Sequence, residues 1–233
     1  MCGRFSIVDG TRKVEHRFGA KYTEAQFETF YSAHYNAAPS MILPIVTTPF
    51  PGSAEKELVL ARWGFQWPQR AAKEFKRPPQ ANARIETVAE KPMFASAYMN
   101  RHCLIPANSF FEWLRSSKFS QPYRILLKDE SLFAMAGIWN DPISPADPPT
   151  FAVLTTSANE LMSRIHDRMP VILRKDQEDL WLREVGNSTL NSRIHTQFPS
   201  EEMKMYPVSQ KMNKVSFDSA EAIAPIAEPS LGL

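Results

Sequence analysis

The chain has 233 residues, of which 43% are hydrophobic and 22% charged, and its 27 basic and 25 acidic residues leave a formal net charge of +2. This length and composition are typical of a globular protein with one large domain, and so small a net charge excludes a whole-molecule field that attracts nucleic acid. The longest apolar run, residues 132–139, is far shorter than the roughly 20 residues of a membrane span, and the N-terminus lacks the apolar core of a signal peptide. We therefore expect a cytoplasmic protein with no membrane association.

The chain has two cysteines, Cys2 and Cys103. Their wide separation fits neither a disulfide framework nor a zinc cluster, so we expect reduced thiols, no metal and no cofactor. Cys103 stands in the apolar run Cys103-Leu104-Ile105, which predicts that its side chain is buried as a small hydrophobic group.

Short apolar or alternating segments predict strands, and longer amphipathic segments predict helices. In chain order, the predicted elements are a helix at Thr11–Phe18, a strand at 57–65, a helix at 87–98, strands at 122–127, 132–139 and Thr150–Ser157, a helix at 158–165, a strand at 169–173 and a helix at 176–185. Strands and helices do not alternate regularly, which argues against a doubly wound parallel sheet. We predict an α+β fold: a single domain at residues 1–217, with a curved, mostly antiparallel sheet flanked by a few helices, and a loosely ordered tail at 218–233.

The N-terminal sequence Met1-Cys2-Gly3-Arg4 places a cysteine at position 2. Once Met1 is removed, Cys2 carries a thiol and a free amine with a pKa of roughly 7.7 to 8.0, and both groups attack carbonyl carbon. No internal cysteine offers this 1,2-aminothiol, because its nitrogen is held in an amide. Position 2 is therefore the first candidate for chemistry, although a cysteine also occurs there by chance.

Two polar clusters stand in the first half of the chain. In the loop at residues 35–39, the fixed φ of Pro39 makes a rigid projecting edge, unless the loop is a plain turn. Asn82 and Arg84 flank the small Ala83 and project the same way in an extended chain. Arg84 would clamp a phosphate and Asn82 would orient a sugar oxygen, whereas the alternative is a solvated surface.

Two further clusters contain groups that transfer protons. Residues 110–113 place Glu112 among three aromatic side chains, whose apolar surroundings would raise the pKa of its carboxyl. In a strand, however, alternation would put Glu112 opposite its aromatic neighbours and into water. His166 stands between a predicted helix and a predicted strand, where it either titrates near neutral pH or has a structural role, and Arg168 close by would hold an anion.

These motifs follow one another in a fixed order: Met1-Cys2-Gly3-Arg4, Tyr35-Asn36-Ala37-Ala38-Pro39, Trp63-Gly64-Phe65, Asn82-Ala83-Arg84-Ile85-Glu86-Thr87, Phe111-Glu112-Trp113, Ala136-Gly137-Ile138-Trp139 and His166-Asp167-Arg168-Met169-Pro170. Each motif alone is weak, but the ordered set, from Cys2 to about Val208, resembles the SRAP family. These are the SOS-response-associated peptidase-like proteins, which act on abasic sites in DNA. The resemblance implies a single α+β domain with a shallow, positively lined channel for single-stranded DNA and Cys2 at its base.

The resemblance also implies roles for individual residues. Cys2 corresponds to the family nucleophile, and Asn82, Glu112 and His166 fall on the positions around it. The implied DNA-binding residues are Arg4, Arg84 and Arg168 at phosphates, Pro39 as a wedge beside the duplex end, Trp113 and Thr155 in the channel lining, Trp67 as a base-stacking residue, and Asn36 in the loop before Pro39. The implied partner is single-stranded DNA with an abasic site, bound by a monomer; a partner at the replication machinery stays unidentified.

An abasic deoxyribose opens to an aldehyde, which an aminothiol captures well. We expect the Cys2 amine to form a Schiff base with C1′ and the thiol to close a thiazolidine, an intramolecular step with an effective molarity of about 10⁵ M or more. Glu112 would assist proton transfer, His166 would protonate the departing oxygen, and Asn82 would hold the sugar. Weak lyase activity through β-elimination is a further expectation, and Met1 is removed either by the protein itself or by a general aminopeptidase.

Other function classes fit part of the sequence. An N-terminal-nucleophile amidohydrolase of the glutamine amidotransferase type also begins Met-Cys-Gly, but Arg4 stands where that class usually has an apolar residue, and the chain has no Asn-Gly dipeptide for an oxyanion loop. A non-catalytic single-stranded-DNA-binding module, in which Cys2 is incidental, predicts binding that is indifferent to the abasic site. A peptidase with Cys2 and His166 as nucleophile and base is a further alternative, for which removal of Met1 is the expected cleavage.

Overall fold

The computed structural model describes residues 2–22, 32–67, 78–115, 120–142, 144–183, 185 and 197–227. The strands in these ranges are β1 (Arg4–Ile7), β2 (Lys21–Tyr22), β3 (His34–Ala37), β4 (Ile42–Thr47), β5 (Glu57–Trp63), β6 (Asn82–Arg84), β7 (His102–Ala107), β8 (Ser109–Arg115), β9 (Ser120–Leu127), β10 (Phe133–Asn140), β11 (Thr150–Ser157), β12 (Arg168–Pro170), β13 (Ile172–Leu173) and β14 (Met203–Pro207). The α-helices in the same ranges are α1 (Thr11–Phe18), α2 (Ala95–Asn100) and α3 (Lys175–Arg183), and none of the described helices has the length and apolar composition needed to cross a membrane.

The first sheet has five antiparallel strands in the order β14-β9-β8-β1-β3. Its strand β1 is short but interior, because it pairs with β8 on one side and β3 on the other. Phe5 and Ile7 of β1 are buried in the main core, whereas alternation turns Arg4 and Ser6 to the opposite face. The residues that precede β1 are thereby attached to the middle of a sheet.

The second sheet is mixed and closes on itself. Its order is β12-β11-β10-β7-β4-β5-β2, and β11 pairs in addition with β5, in parallel. Strands β11, β10, β7, β4 and β5 therefore form a closed ring, as in a small barrel. The short strand β6 pairs with β11 in parallel, on the same edge as β5 and further along the strand. On the other edge of β11, β12 follows β10 and pairs antiparallel.

The main hydrophobic cluster contains side chains from both sheets. For example, the ring of Phe5 in β1 lies 5.0 Å from that of Trp63 in β5. A second, smaller cluster, the outer cluster, consists of Phe111, Val208, Met212 and Ala222. Three of these four residues belong to the C-terminal part of the chain, which therefore covers the outer face of the first sheet.

The predicted α+β class, with mostly antiparallel sheets and few helices, is confirmed. Predicted elements that reappear with the same or nearly the same bounds are α1, β5, β9, β10, β11 and α3. The strand predicted at 169–173 is instead the two strands β12 and β13. Pro170 has no N–H to pair. The N–H of Val171 donates to the main-chain oxygen of Leu154 in β11, and the oxygen of Val171 accepts the N–H of Ala136 in β10, so the chain passes from one strand partner to the other at this residue.

Two predicted helices are wrong over most of their length. In the helix predicted at 87–98, Pro92 lacks an N–H and its ring clashes with the preceding turn, so only α2 at the end of the segment is helical. The helix predicted at 158–165 is reduced to a single 3-10 turn. There the side-chain oxygen of Asn159 accepts the N–H of Met162 at 2.9 Å and competes with regular helical bonding.

The tail predicted at 218–233 is not loose where it is described. Residues 218–227 contain a 3-10 helix at Ala220–Ile223, and Ala222 is fully buried in the outer cluster. Asp218 accepts the main-chain N–H groups of residues 35 and 36 at 2.6 and 2.8 Å. Residues 228–233 lie outside the described ranges.

Candidate active site

Cys2 lies immediately before β1 and is fully buried. Its thiol donates a weak hydrogen bond to the main-chain oxygen of Arg4, at 3.8 Å. Burial, and next the negative charge of Glu112, raise the pKa of the Cys2 thiol well above its usual range. The thiol is therefore protonated at neutral pH, so its reactivity depends on a base or on an electrophile held against it.

Glu112 is the carboxylate that acts on this thiol. Arg4 of β1 lies opposite Phe111 of β8. In this antiparallel register the next residue of β8, Glu112, lies beside the residues that precede β1. Glu112 is only 3% exposed, whereas Trp113, on the opposite face of β8, packs against the outer cluster. Alternation along β8 thus turns Glu112 away from Phe111 and Trp113, but its face, which it shares with Phe110, is packed and is not in water.

Strand β6 carries Asn82 and Arg84 on one face. It pairs with β11 in parallel, with Asn82 opposite Val153 and Arg84 opposite Thr155. Ala83 between them is buried, and Arg84 is exposed. The side-chain oxygen of Asn82 is buried and has no hydrogen-bond partner among the described residues. Since buried acceptors are normally paired, this oxygen is suited to a donor group on a bound molecule.

Trp63 connects this strand to the strand that carries the thiol. Its indole Nε1 donates to the main-chain oxygen of Ala81 at 2.9 Å, and its ring lies 5.0 Å from the ring of Phe5. Trp63 is fully buried. A single rigid side chain therefore packs on β1 and bonds to the residue before Asn82.

Arg168 is 8% exposed, and its guanidinium binds groups of the protein itself. It donates to both carboxylate oxygens of Glu86, at 2.6 and 2.8 Å, and to the main-chain oxygen of Thr155 at 2.6 Å. The hydrogen bond from Arg168 holds the pKa of the Glu86 carboxyl below its usual value. Thr155 is fully buried beside Arg168, whereas Glu86 at the other side of the guanidinium is exposed.

His166 is half-buried just before β12. The main-chain N–H of Arg168 donates to its Nδ1 at 2.9 Å, and a carboxylate oxygen of Asp167 lies 3.0 Å from the same nitrogen. A main-chain N–H only donates, so Nδ1 is an acceptor in the neutral ring, which then carries its proton on Nε2. Among the described residues, no group of His, Cys, Asp and Glu is arranged to hold a metal ion.

Arg4 and Asn36 are bound by the C-terminal segment. Arg4 donates to the side-chain oxygen of Asn36 at 2.7 Å and to the main-chain oxygens of Met212 and Asn213 at 2.8 and 3.1 Å. Asn36 is fully buried, and its Nδ2 donates to three main-chain oxygens of residues 212–217 at 3.0 to 3.1 Å. Both side chains, predicted as DNA contacts, thus fasten the N-terminal strand to the C-terminal segment.

The other predicted DNA contacts lie nearer the surface. Pro39 is exposed and is followed by Ser40 at a φ of 79°, which is the pattern of a type II turn. Trp113 is half-buried, and its Nε1 donates to the side-chain oxygen of Asn213 at 2.7 Å. Trp67 is also half-buried and precedes residues 68–77, which lie outside the described ranges.

The family model for SOS response associated peptidase (SRAP) matches residues 1–215. The chain belongs to the SRAP family. YoqW of Bacillus subtilis, named an abasic site processing protein, is 36% identical over 229 residues, which cover 96% of this chain and 99% of that protein. YedK of Escherichia coli, with the same description, is 29% identical over 97% of this chain and 100% of its own length. A crystal structure of a Bacteroides thetaiotaomicron protein has a TM-score of 0.81 at 26% sequence identity, covering 97% of this chain and 100% of that one. The resemblance inferred from the ordered motifs is thereby confirmed.

In this SRAP domain the predicted residues, apart from Pro39, Trp67 and Trp113 near the surface, fall into three groups. Cys2 and Glu112 form the first, the residues around β11 form the second, and Arg4 with its C-terminal partners forms the third. Sequence reasoning missed the partner of Arg168, although Glu86 is the one acidic residue of the quoted 82–87 motif. It had no signal for Asn213 or Asp218, because their partners are about a hundred residues or more away in the chain.

Proposed function

We propose that this SRAP protein processes abasic sites in single-stranded DNA by capturing them covalently on Cys2 after Met1 is removed. The names of the relatives YoqW and YedK supply the class of lesion. The observation that carries the chemical proposal is a fully buried thiol at position 2 under the electrostatic influence of Glu112. Removal of one residue turns this thiol into an aminothiol at a fixed place in the fold.

The raised pKa of the thiol determines the order of the steps. At neutral pH a fraction of the amine is unprotonated, since its usual pKa is roughly 7.7 to 8.0, whereas the buried thiol keeps its proton. The amine therefore attacks the C1′ aldehyde first, and loss of one water leaves an imine. The thiol then adds across the C=N bond, sulfur to carbon and proton to nitrogen, and closes the thiazolidine without a further reagent.

Three side chains assist these steps. Glu112 accepts the proton that the amine loses on attack and passes it to the departing hydroxyl group. His166 donates from Nε2 to the sugar ring oxygen as the ring opens, which is the role its tautomer suits. Asn82 accepts a hydrogen bond from a sugar hydroxyl through its buried side-chain oxygen.

The strand binds through the more exposed predicted contacts. Arg84 contacts phosphate, Trp113 and Trp67 stack on bases, and Pro39 lies against the end of a duplex. Binding therefore weakens as the salt concentration rises.

The remaining predicted contacts act from inside the fold. Arg168 holds Glu86 and Thr155 and positions the main chain next to His166. Arg4 and Asn36 keep β1 attached to the C-terminal segment. Replacing Arg4, Asn36 or Arg168 therefore changes the position of Cys2 more than it changes the number of contacts between the protein and DNA phosphates.

The imine has a second outcome. Removal of a C2′ proton expels the 3′ phosphate by β-elimination, and water then releases the amine, which amounts to lyase activity. Thiazolidine closure competes with this path, so the lyase activity is weak. Self-removal of Met1 is also part of the proposal: the Cys2 thiol attacks the carbonyl carbon of Met1, the Cys2 nitrogen leaves with the thiol proton, and water hydrolyses the resulting thioester, which releases methionine and restores the thiol.

A denaturing gel tests the proposal. Mature protein is mixed with an oligonucleotide that carries one abasic site, and we expect a shifted band that is lost with Cys2→Ala and kept with Cys103→Ala, the matched buried cysteine. Cys2→Ser protein from which an aminopeptidase has removed Met1 keeps the amine but not the thiol, so its adduct should survive only after borohydride reduction. Absence of a band with mature wild-type protein rejects the proposal, and a wild-type band that requires borohydride rejects the thiazolidine.

A further inference from the structure

Trp113 is held at two points. Its side chain packs against the outer cluster, and its Nε1 donates to the side-chain oxygen of Asn213 at 2.7 Å. A hydrogen bond along the edge of the indole, together with packing on a buried cluster, fixes the plane of the ring.

Asn213 is itself held in place through its main chain. Its main-chain oxygen accepts from Arg4 at 3.1 Å, and the oxygens of Met212 and Lys214 on either side accept from Asn36 at 3.0 and 3.1 Å. Asn36 is fully buried, whereas the side chain of Asn213 is exposed. The loop therefore presents an exposed amide on a main chain that buried groups anchor.

We infer that Asn213 is a positioning residue for DNA binding: it orients the indole of Trp113 for stacking on a base of the bound strand. The inference rests on the proposed function, since it takes Trp113 as a stacking residue. Asn213 acts through Trp113 and makes no phosphate contact of its own. Base stacking on an aromatic side chain requires the ring to stand in one orientation, and a ring that is ordered before binding loses less entropy on binding.

The test measures the dissociation constant of undamaged single-stranded DNA at several salt concentrations. Asn213→Ala should raise the dissociation constant about two- to tenfold, which corresponds to the ordering of one side chain. The slope of its logarithm against the logarithm of salt concentration should stay as in the wild type, because no phosphate contact is lost. Ser216→Ala, an exposed neighbour in the same loop, should bind as the wild type does.

A double-mutant cycle separates positioning from a general loss of structure. Trp113→Phe keeps an aromatic ring without the N–H, so Asn213→Ala should have no further effect in that background. Substitution at Asn213 leaves the main-chain bond to Arg4 intact, so the unfolding midpoint should change little. Unchanged affinity of Asn213→Ala, or an equal loss in the Trp113→Phe background, would overturn the inference. The proposed function is tested by a different measurement: it is rejected if wild-type protein forms no adduct with abasic DNA, whatever its affinity for undamaged DNA.

Discussion

The two sheets of this protein are held together in different ways. The closed ring of β4, β5, β7, β10 and β11 is completed by its own strand pairing and filled by apolar side chains. The first sheet instead carries buried polar side chains on and beside β1, and these bond to residues far along the chain. One such series runs from Ser6 to Ser109 at 2.6 Å, from Arg124 to Ser109 at 2.9 Å, and from Arg124 to Tyr206 at 2.6 Å.

The two sheets therefore differ in what they determine: one the stability of the fold, the other the position of a strand. Apolar packing tolerates small shifts, whereas a buried hydrogen-bond network fixes its members and penalises the loss of any one. The ring therefore stabilises the fold, and the polar network of the first sheet fixes the strand that carries Cys2.

Asn36→Ala should have the largest effect on this network. It leaves the main-chain oxygen of Phe217 and one N–H of Arg4 without their partner and removes one of two donors from the oxygens of residues 212 and 214, which should lower the free energy of unfolding by about 3 to 5 kcal/mol. Adduct formation should slow as well, because β1 is no longer fastened. Urea unfolding and gel kinetics measure the two effects. Asn100→Ala, an exposed asparagine with one local bond, is the control, and a loss below 1 kcal/mol for Asn36→Ala would contradict the role of the network.

His102 in the ring gives the second effect, which depends on pH. Burial lowers the pKa of its imidazole to about 4, although bonds to two main-chain oxygens oppose the shift. Between about 4 and the ordinary value near 6.5, the unfolded chain binds more protons than the folded one. Stability should therefore fall by about 2 to 4 kcal/mol as the pH is lowered from 6.5 to 4.

Thermal unfolding of wild type and His102→Gln across this pH range measures that contribution. The variant should show a flatter dependence, since its side chain does not titrate. Equal slopes for both proteins would mean that other groups cause the loss.

Gly137→Ala tests the packing of the ring interior. A methyl group at this position would lie 2.6 Å from Cδ1 of Ile105, 2.9 Å from the sulfur of Cys103 and 3.1 Å from the main-chain oxygen of Ala152. Such overpacking should lower the free energy of unfolding by about 1 to 3 kcal/mol. Adduct formation by the folded fraction should be unchanged.

Cys103→Ala in the Gly137→Ala background removes one of these contacts and should restore part of the stability. Additive losses in the double variant would show that the sulfur and the new methyl group do not compete for the same space.

Arg84→Ala should have the smallest effect, on DNA affinity alone. Loss of one exposed phosphate contact should weaken binding of single-stranded DNA by about 1 kcal/mol and reduce the salt slope by about 0.7. Arg12→Ala on α1, also exposed, should leave both unchanged. An unchanged slope for Arg84→Ala would remove Arg84 from the DNA-binding surface.

Some strands of the two sheets were predictable from the sequence, and others were not. Strand β11 was predictable with its bounds, because the apolar residues 151–154 and the β-branched threonines beside them lie between Pro149 and Ser157. Closure of the ring was not, since the parallel pairing of β5 with β11 joins segments that carry no mutual signal in one sequence. Strand β1 was also missed, because four residues that include Arg4 are too short and too polar to show a period.

The site was predictable as a set of motifs but not as a set of contacts. The ordered motifs gave the family, and the position of Cys2 gave the chemistry. Whether an arginine faces DNA or the protein depends on its partner, and the partner of Arg168 lies 82 residues away while Arg4 bonds across 208 residues. Such pairs follow from the tertiary fold and have no local pattern.

The most direct test of the account is the intact mass of the mature protein after incubation with an oligonucleotide that carries one abasic site. We expect loss of Met1 and an adduct whose mass equals protein plus DNA minus one water, unchanged by borohydride. An adduct mass that rises by two hydrogens with borohydride, an adduct on protein that retains Met1, or no adduct at all would contradict it.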